Sequence, residues 1–417
     1  TKGTNEISKY YYSINNSSYV EGSSTYTFTN LTEQTTYTIK VKVADTNGRM
    51  SNEYSLSATT DAYKLPTITD VTTSSTLNSI TINVSGQNGD GTITEYYYSK
   101  DNGSNYVKST SSSYTFTELT SNTTFYIKVY VKDSNGKSSS VFTTSSKTEI
   151  LTIADYCSSG TYLTTCVKNF GNQGPDISNI YIHNSSLANG AGDNSYRYAG
   201  ASDIVNNYIC LGSNEATCPD ANLFRIIGVF GDKTKVIRAK SVGNQKWNTS
   251  SSQVDTWSSS SLNTYLNGEY LTGLGTIADK IATTTWKVGG GSTTYLYDVP
   301  KIAYQYEVGS SASTTTVDKK IGLMYVSDYY YAASPSVWTL VGYNEYNEEK
   351  DYRAATSINW LYLGSYEWTI SRNSGDTGRA FIVTSTGYVY DSSVASSCAF
   401  RPSFNLLSSV KYVSGSG

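Results

Sequence analysis

The chain contains a single histidine, His183, and this residue limits the catalytic chemistry that the sequence could support. A Ser-His-Asp triad, a Cys-His dyad and a histidine-based catalytic zinc site would all have to use His183. It lies in the sequence YIHN (181–184), where a lone histidine is more often structural than catalytic. We therefore predict a structural role for His183 and no enzymatic activity.

Four of the five cysteines form two closely spaced pairs, Cys157 with Cys166 and Cys210 with Cys218. Neither pair is a CxxC motif, and none is followed by a second pair at zinc-finger spacing. We therefore predict two local disulfides rather than a metal cluster. Disulfides imply an oxidising, extracellular compartment. No activating base stands near Cys398, which favours a small buried strand residue over a reactive thiol.

An acidic cluster could supply the carboxylate ligands that calcium prefers, and consists of Glu345, Glu348, Glu349 and Asp351. A solvated loop explains the same residues and is favoured, so calcium is the alternative and no other cofactor is expected. Glycoside hydrolysis would need a paired acid and base in an aromatic cleft, but no motif selects such a pair. The glycine triplet 289–291 has no P-loop context and is predicted to be a flexible turn without a phosphate role.

The overall composition argues against several classes of partner. The 417 residues include 39 Tyr, 10 Phe and 6 Trp, and 16% are charged, below the ~25% of an ordinary globular domain. The net charge of −3 and the lack of a basic block argue against nucleic acid. No apolar run approaches the ~20 residues of a transmembrane helix, so we expect no membrane insertion within this stretch. Thr1 is not a natural first residue, so we expect a fragment of a longer protein.

Two segments of the N-terminal third repeat each other. Residues 31–48 (LTEQTTYTIKVKVADTNG) match residues 119–136 (LTSNTTFYIKVYVKDSNG) without a gap, at an offset of 88 residues. Two shorter motifs recur in the same order, YYYS at 10–13 and 96–99 and YTF at 26–28 and 114–116. Apolar and polar residues alternate in each copy, as in a β-strand with one buried face. The Asn-Gly dipeptide that ends each copy predicts a hairpin turn.

This repeat resembles bacterial fibronectin type III-like modules, and Leu31 and Tyr37 stand at the spacing of that family's tyrosine corner. The second copy departs from the family pattern, because Phe125 has no hydroxyl for the corner hydrogen bond. Val84 stands near the place of the family's common core tryptophan. The first copy also lacks the two strands that open the second. We expect both modules to be spacers rather than ligand-binding domains.

From about residue 150 the repeat ends, and strand and helix patterns mix. The predicted elements are a hairpin over 223–242, two helices over 257–286 with Ser258 or Ser259 as N-cap, a strand over 320–326, a hairpin over 380–390 and a closing strand over 398–406 with Pro402 at an edge or bulge.

Four segments of this region are distinctive: TWSSSSLNTYLNGEYL (256–271), WLYLGSYEWTISR (360–372), the AFIV…GYVY hairpin and AFRPSFNL (399–406). Together they resemble a family of bacterial surface domains with the C-type-lectin fold. This family is related to formylglycine-generating-enzyme-like proteins and is common in gut Firmicutes. The resemblance covers about residues 150–410 and implies an α+β fold. It does not carry over the formylglycine-generating activity, which relies on copper-binding cysteines, because Cys398 stands alone near the C-terminus.

Several proteins of this fold are variable proteins of diversity-generating retroelements, in which a reverse transcriptase rewrites adenines near the 3′ end of the gene. The changed side chains form a ligand-binding face. By this resemblance the ligand-binding residues here are Tyr362, Tyr366, Asn373, Ser374, Asp376, Thr377, Arg379, Tyr388, Tyr390, Asp391 and Ser393, and the structural anchors are Trp360, Trp368, Arg401 and Pro402. Tyr, Ser and Asn are also typical of antibody paratopes. Since the whole chain is rich in them, background composition is the alternative.

We therefore predict a multidomain protein in which all-β sandwich repeats precede an α+β C-type-lectin-like domain. The expected bounds are 1–62 for a partial module, 63–149 for a complete one and 150–417 for the ligand-binding domain. We expect a secreted, cell-surface protein that binds a protein or glycan ligand on another cell, a phage or a host, without catalysis. A carbohydrate-active enzyme with accessory modules and a structural surface or filament component are the alternatives.

Overall fold

The computed structural model describes residues 3–213, 215, 217–249 and 256–413 of the chain. Contacts between residues divide the chain into two compact units, Thr1–Glu149 and Ile150–Gly417. Strands outnumber helices, at 36% against 18% of the residues. No helix in the described residues is long and apolar enough to cross a membrane.

The first repeat forms a four-stranded antiparallel sheet in the order β2-β1-β3-β4. Its strands are β1 Ile7–Ile14, β2 Val20–Gly22, β3 Thr36–Asp45 and β4 Tyr54–Thr59. The turn between β3 and β4 places Gly48 at a φ of 78°, a conformation that favours glycine. The Tyr37 hydroxyl accepts a hydrogen bond from the backbone N–H of Thr32 (2.8 Å). The spacing therefore correctly predicted a tyrosine corner.

The second repeat is a two-sheet β-sandwich. Its strands are β5 Thr67–Ser75, β6 Ile80–Gln87, β7 Ile93–Ser99, β8 Val107–Ser109, β9 Ser113–Phe116, β10 Thr124–Asp133 and β11 Phe142–Lys147. One sheet has the order β5-β6-β9 and the other β11-β10-β7-β8. Alternating side chains such as Ile82, Tyr98 and Val129 are fully buried in its core. This strand order confirms the expected fibronectin type III-like sandwich.

The second unit contains two larger sheets and one strand pair. Its strands are β12 Ile180–Ile182, β13 Tyr196–Tyr198, β14 Tyr208–Cys210, β15 Leu223–Phe230, β16 Lys233–Arg238, β17 Asn244–Lys246, β18 Thr284–Lys287, β19 Thr316–Lys319, β20 Ile321–Gly322, β21 Glu367–Arg372, β22 Arg379–Val383, β23 Val389–Ser393, β24 Ser397–Ala399 and β25 Ser403–Asn405. The first sheet runs β12-β13-β15-β16-β25-β20, with β14 beside β15. The second runs β17-β24-β21-β22-β23, and β18 pairs with β19.

Short helices connect these strands. They are α1 Leu163–Gly171, α2 Pro175–Ser178, α3 Ser261–Tyr265, α4 Leu271–Gly273, α5 Thr293–Leu296, α6 Pro300–Glu307 and α7 Val326–Tyr331. Short 3₁₀ helices occur at Ile153–Tyr156, Asp220–Asn222, Trp257–Ser259, Gly275–Lys280, Pro335–Val337, Glu348–Lys350 and Tyr352–Ile358, and a π turn at Leu266–Tyr270. All six tryptophans of the chain are buried in this unit: Trp247, Trp257, Trp286, Trp338, Trp360 and Trp368.

The two predicted hairpins are present as β15–β16 and β22–β23. The two predicted helices over 257–286 are instead a series of short turns, and that range ends in β18 with the buried Trp286. The N-cap of α3 is Ser260, whose hydroxyl accepts from the backbone N–H of Asn263 (3.1 Å), rather than Ser258 or Ser259.

Two predicted strands are also shorter than expected. Residues 320–326 hold only the two-residue β20, because the Glu307 carboxylate accepts the N–H groups of Val326 and Ser327 (2.8 Å each) at the start of α7. The segment 398–406 divides into β24 and β25, which belong to different sheets. Pro402, which has no N–H to donate, lies between them.

Candidate ligand-binding surface

Four tyrosines from three segments of the second unit form one aromatic group, which we call the tyrosine cluster: Tyr297, Tyr343, Tyr388 and Tyr390. The rings of Tyr343 and Tyr388 stack with centroids 4.9 Å apart. Tyr390 meets these two rings edge-on at 5.6 and 6.0 Å, and its ring is parallel to that of Tyr297 at 6.1 Å. These spacings are those of favourable aromatic pairs.

Strand β23 explains which side chains reach this surface. Successive residues of a strand point to opposite faces, so Tyr388 and Tyr390 share one face. Val389 and Asp391 point to the other and are buried, whereas Tyr390 is 37% exposed. Tyr388 lies just before β23 and is half-buried, and the ligand-binding role of Tyr388 and Tyr390 stays a prediction.

Two guanidinium groups lie against the cluster. The Arg353 guanidinium is 4.9 Å from the centre of the Tyr388 ring and 5.8 Å from that of Tyr343. The Arg379 guanidinium is 6.0 Å from the centre of the Tyr390 ring. Both guanidinium groups are also ion-paired, Arg353 with Glu348 and Asp351 and Arg379 with Asp391. The cation–π contacts therefore hold the rings in place without adding net positive charge to the surface.

Asn373 and Asp391, expected on the binding face, are buried instead, and their side chains bond to each other (3.0 Å). The Asp391 carboxylate also accepts from the Tyr297 hydroxyl and from Arg379 Nε (2.5 Å each). Burial raises the pKa of Asp391, but the hydrogen bonds from Tyr297, Asn373 and Arg379 outweigh it and leave the pKa below its usual value. These residues therefore support the surface from within. The alternation of inward and outward side chains along β23 is the sequence signal that could have placed Asp391 in the interior.

The remaining predicted contact residues are divided between solvent and the interior. Ser374, Asp376 and Thr377 lie exposed in the loop between β21 and β22, and Tyr366 is exposed just before β21. The half-buried Tyr362 donates its hydroxyl to the carbonyl of Ser385 (2.6 Å), so it serves packing. Ser393, at the end of β23, is half-buried.

A cleft of about 320 Å³ adjoins the same loop. Tyr295 and Tyr306 stack face to face beside it, with centroids 3.5 Å apart and planes within 3°. Its lining residues are Gly289, Gly290, Gly291, Ser292, Tyr295, Tyr306, Ser311, Ser313, Thr315, Arg372 and Ser374. An aromatic pair beside several hydroxyl groups is suited to a polar ligand with an apolar face. No carboxylate from the described part of the chain lines the cleft.

The glycine triplet beside the cleft is not the flexible turn that the sequence predicted. Gly291 accepts from the backbone N–H of Ser374 (3.0 Å) and donates to the carbonyl of Arg372 (3.3 Å). Gly290 has a φ of 64°, and a Cβ there would collide with the Arg372 carbonyl oxygen. The triplet is therefore a close backbone contact that fixes the start of the 373–379 loop.

The four predicted anchors are buried below this surface. Arg401 forms a bidentate ion pair with Glu367 (2.6 and 2.8 Å). The indole N–H of Trp360 donates to the carbonyl of Tyr198 (2.8 Å), and that of Trp368 to the carbonyl of Gln245 (2.9 Å). Pro402 is buried next to Arg401.

The acidic cluster is only partly the solvated loop that the sequence favoured. Asp351 is fully buried and accepts from Arg353 Nη2 (2.6 Å) and from the backbone N–H of Asn344 (2.9 Å). Arg353 also pairs with the exposed Glu348 (2.6 Å). Arg353 therefore pairs with two of the four carboxylates of the cluster, and its hydrogen bond to Asp351 raises its own pKa. Sequence reasoning missed Arg353 and Tyr343 as parts of the surface.

The cysteines and the histidine lie in structural positions. Disulfides join Cys157 to Cys166 and Cys210 to Cys218. Cys398 is buried in β24, and burial raises the pKa of its thiol to about 11. His183 is fully buried, and its Nδ1 accepts from the backbone N–H of Ala191 (3.0 Å).

No protein-family model and no curated protein matches the chain. Similar solved structures include chitinase ChiA74 from Bacillus thuringiensis, at 22% identity and a TM-score of 0.19 over 22% of this chain and 14% of the chitinase chain. The fibronectin(III)-like modules of Clostridium thermocellum CbhA match at 14% identity and a TM-score of 0.20, over 36% of this chain and 82% of theirs. The FN1–FN3 domains of chicken CNTN1 match at 15% identity and a TM-score of 0.20, over 35% and 57%. These TM-scores are too low to carry an argument, and the fibronectin type III-like assignment rests on the strand order.

Proposed function

We propose that the chain is part of an extracellular, cell-surface protein whose Ile150–Gly417 unit is a ligand-binding domain of the C-type-lectin fold. The fibronectin type III-like repeats serve as spacers. The tyrosine cluster, with Arg353 and Arg379 beside it, is the observation that carries this proposal. The two disulfides support an oxidising compartment.

The chemistry of the surface supports binding rather than catalysis. Tyrosine offers a large amphipathic contact at a small entropic cost, and Ser, Thr and Asp in the 374–377 loop offer adaptable hydrogen bonds. Arg and Tyr are also the residue types that most often dominate binding energy. The ligand is a protein or glycan on another cell, a phage or a host, and the proposal includes no cofactor.

The position of the loop also supports a diversified binding face. Ser374, Asp376 and Thr377 are exposed and carry none of the core packing, so their replacement would leave the fold intact. We expect a reverse-transcriptase gene and a near-copy of the 3′ coding end, differing at adenines, downstream of the gene. Sequencing the region downstream of the gene tests whether the binding face is diversified. If neither the reverse-transcriptase gene nor the near-copy is found, the proposal reduces to an adhesin without diversification.

Two alternatives make different predictions. A carbohydrate-active enzyme needs two carboxylates about 5–9.5 Å apart in a cleft, and the tyrosine-lined cleft offers none among the residues described. A filament component would self-associate through the tyrosine cluster. A monomer in analytical ultracentrifugation at high concentration argues against that alternative.

The binding proposal is tested with the full chain on a glycan array and on a panel of intact bacterial and animal cells. We expect a subset of glycans or cells to bind, and the double variant Tyr388→Ala/Tyr390→Ala to lose this binding. Tyr126→Ala is the matched control, because Tyr126 is an exposed tyrosine of the second repeat. Equal binding by parent and double variant would refute the proposed surface.

A further inference from the structure

A lysine and an aspartate meet in the interior of the second unit, away from the tyrosine cluster. Lys235 lies on β16 and Asp328 on α7, and both are almost completely buried. Lys235 Nζ is 2.5 Å from Asp328 Oδ2. The amine is therefore already in contact with the carboxyl group.

The surroundings of Lys235 are aromatic. Its Nζ lies 4.6 to 5.6 Å from the ring centres of Tyr325, Trp286 and Phe230. Burial among these rings lowers the pKa of Lys235, although Asp328 opposes the effect. A buried ion pair pays a large desolvation cost. Transfer of one proton from the ammonium to the carboxylate, which is the first step of a condensation, removes both buried charges and leaves an amine that can act as a nucleophile.

A second buried carboxyl group lies beside the pair. Glu307 accepts the backbone N–H groups of Val326 and Ser327, while Asp328 Oδ2 accepts that of Tyr325 (2.8 Å each). Glu307 is close enough to Lys235 to raise the pKa of the amine, and its Oε1 also accepts from the hydroxyl of Ser371. Burial raises the pKa of Glu307, although the hydrogen bonds from Ser327, Ser371 and Val326 oppose the effect.

We propose that Lys235 and Asp328 condense into an intramolecular isopeptide bond, with Glu307 as the proton shuttle. The neutral Nζ attacks Cγ of the protonated Asp328, and a C–N bond forms. Glu307 takes one proton from the nitrogen and returns it to the carboxyl hydroxyl. The C–O bond then breaks and one water molecule leaves. No oxidant, cofactor or net change in protons is required.

The charges around the pair remain balanced after this step. Arg197 Nη2 bonds to Asp193 Oδ2 (2.7 Å), whereas its distance to Asp328 is longer (3.8 Å). The condensation removes the positive charge of Lys235 and the negative charge of Asp328, and it leaves the Arg197–Asp193 ion pair intact. The bond closes a covalent loop between positions 93 residues apart and ties the seven-stranded sheet to α7.

Intact-mass spectrometry of the full chain, denatured, reduced and alkylated, tests the proposal. We expect a mass one water below that of the sequence with all five cysteines alkylated, and a digest in which the peptides that carry Lys235 and Asp328 are joined. A parent chain at the full mass of the alkylated sequence, with separate peptides, would overturn the proposal.

Three variants keep the test specific. Asp328→Asn should lose one ammonia instead of one water, because the leaving group changes, and Lys235→Met should retain its full mass. Glu307→Gln should retain its full mass while its tryptophan emission matches that of the folded parent. Complete condensation in the Glu307→Gln chain would refute the role of Glu307, and a water deficit that persists in Lys235→Met would refute the assigned bond.

Discussion

At the scale of single residues, tyrosine has two different roles in this chain. Tyr98, Tyr329 and Tyr352 are buried, and each donates its hydroxyl to a backbone carbonyl, at distances of 2.7 to 2.9 Å. Such a residue fills a core and satisfies its own polar group. Tyr390 is instead 37% exposed, and Tyr388 is half-buried next to it. The high tyrosine count therefore indicates a binding surface only where the strand geometry turns the rings outward.

His183 is expected to make the second unit less stable in mild acid. Burial, with a smaller effect of Arg197, lowers its pKa to about 2, whereas an unfolded chain protonates histidine near pH 6.5. Between these values the unfolded state binds one more proton, so the free energy of unfolding falls as the pH falls, by up to about 1.4 kcal/mol per pH unit.

The measurement is urea unfolding at pH 7.5 and 5.5, followed by tryptophan fluorescence, since every tryptophan lies in the second unit. His183→Asn offers an amide oxygen to the N–H of Ala191 and does not titrate. Between pH 7.5 and 5.5 we expect the free energy of unfolding of this variant to fall by about 1 kcal/mol less than that of the parent. An equal decrease in the free energy of unfolding of both proteins would show that His183 does not cause the pH dependence.

At the scale of secondary-structure elements, the buried ion pair between Glu367 and Arg401 joins β21 to the segment between β24 and β25. Glu367→Gln leaves the Arg401 guanidinium buried without a counter-charge, which costs about 3–5 kcal/mol. Urea unfolding followed by tryptophan fluorescence measures this cost. Asp220→Asn is the control, because its ion pair with Lys240 is two-thirds exposed and contributes at most about 1 kcal/mol. A similar decrease in the free energy of unfolding of Glu367→Gln and Asp220→Asn would contradict the structural importance of the buried ion pair.

The sequence predicted elements well where local signals were sufficient. The hairpins β15–β16 and β22–β23 and the tyrosine corner of Tyr37 follow from alternation, turn residues and spacing. The start of α7 has a local capping box, in which the Asp328 carboxylate accepts from the backbone N–H of Tyr325. Its second carboxylate could not be predicted from local signals, because it belongs to Glu307, 19 residues earlier in the chain. The segment 257–286 has an apolar stripe that suits helices, yet tertiary packing divides it into short turns.

At the scale of the whole molecule, the candidate surface combines predicted and unpredicted residues. Tyr388 and Tyr390 were predicted, but Tyr297 bonds to Asp391 from 94 positions away, and no local pattern links the two. Tyr343 and Arg353 come from a loop that the sequence presented as acidic. The sequence thus identified the C-terminal hairpin, whereas the partners that hold it depend on the tertiary fold.

The most direct test of the tyrosine cluster as a binding surface is the Kd of the full chain for the glycan or cell that binds it best. We predict that Tyr390→Ala weakens this affinity at least about tenfold, or about 1.4 kcal/mol, as expected for a central aromatic contact. Tyr126→Ala should leave the Kd unchanged. An unchanged Kd for Tyr390→Ala, or an equal loss in both variants, would contradict the account.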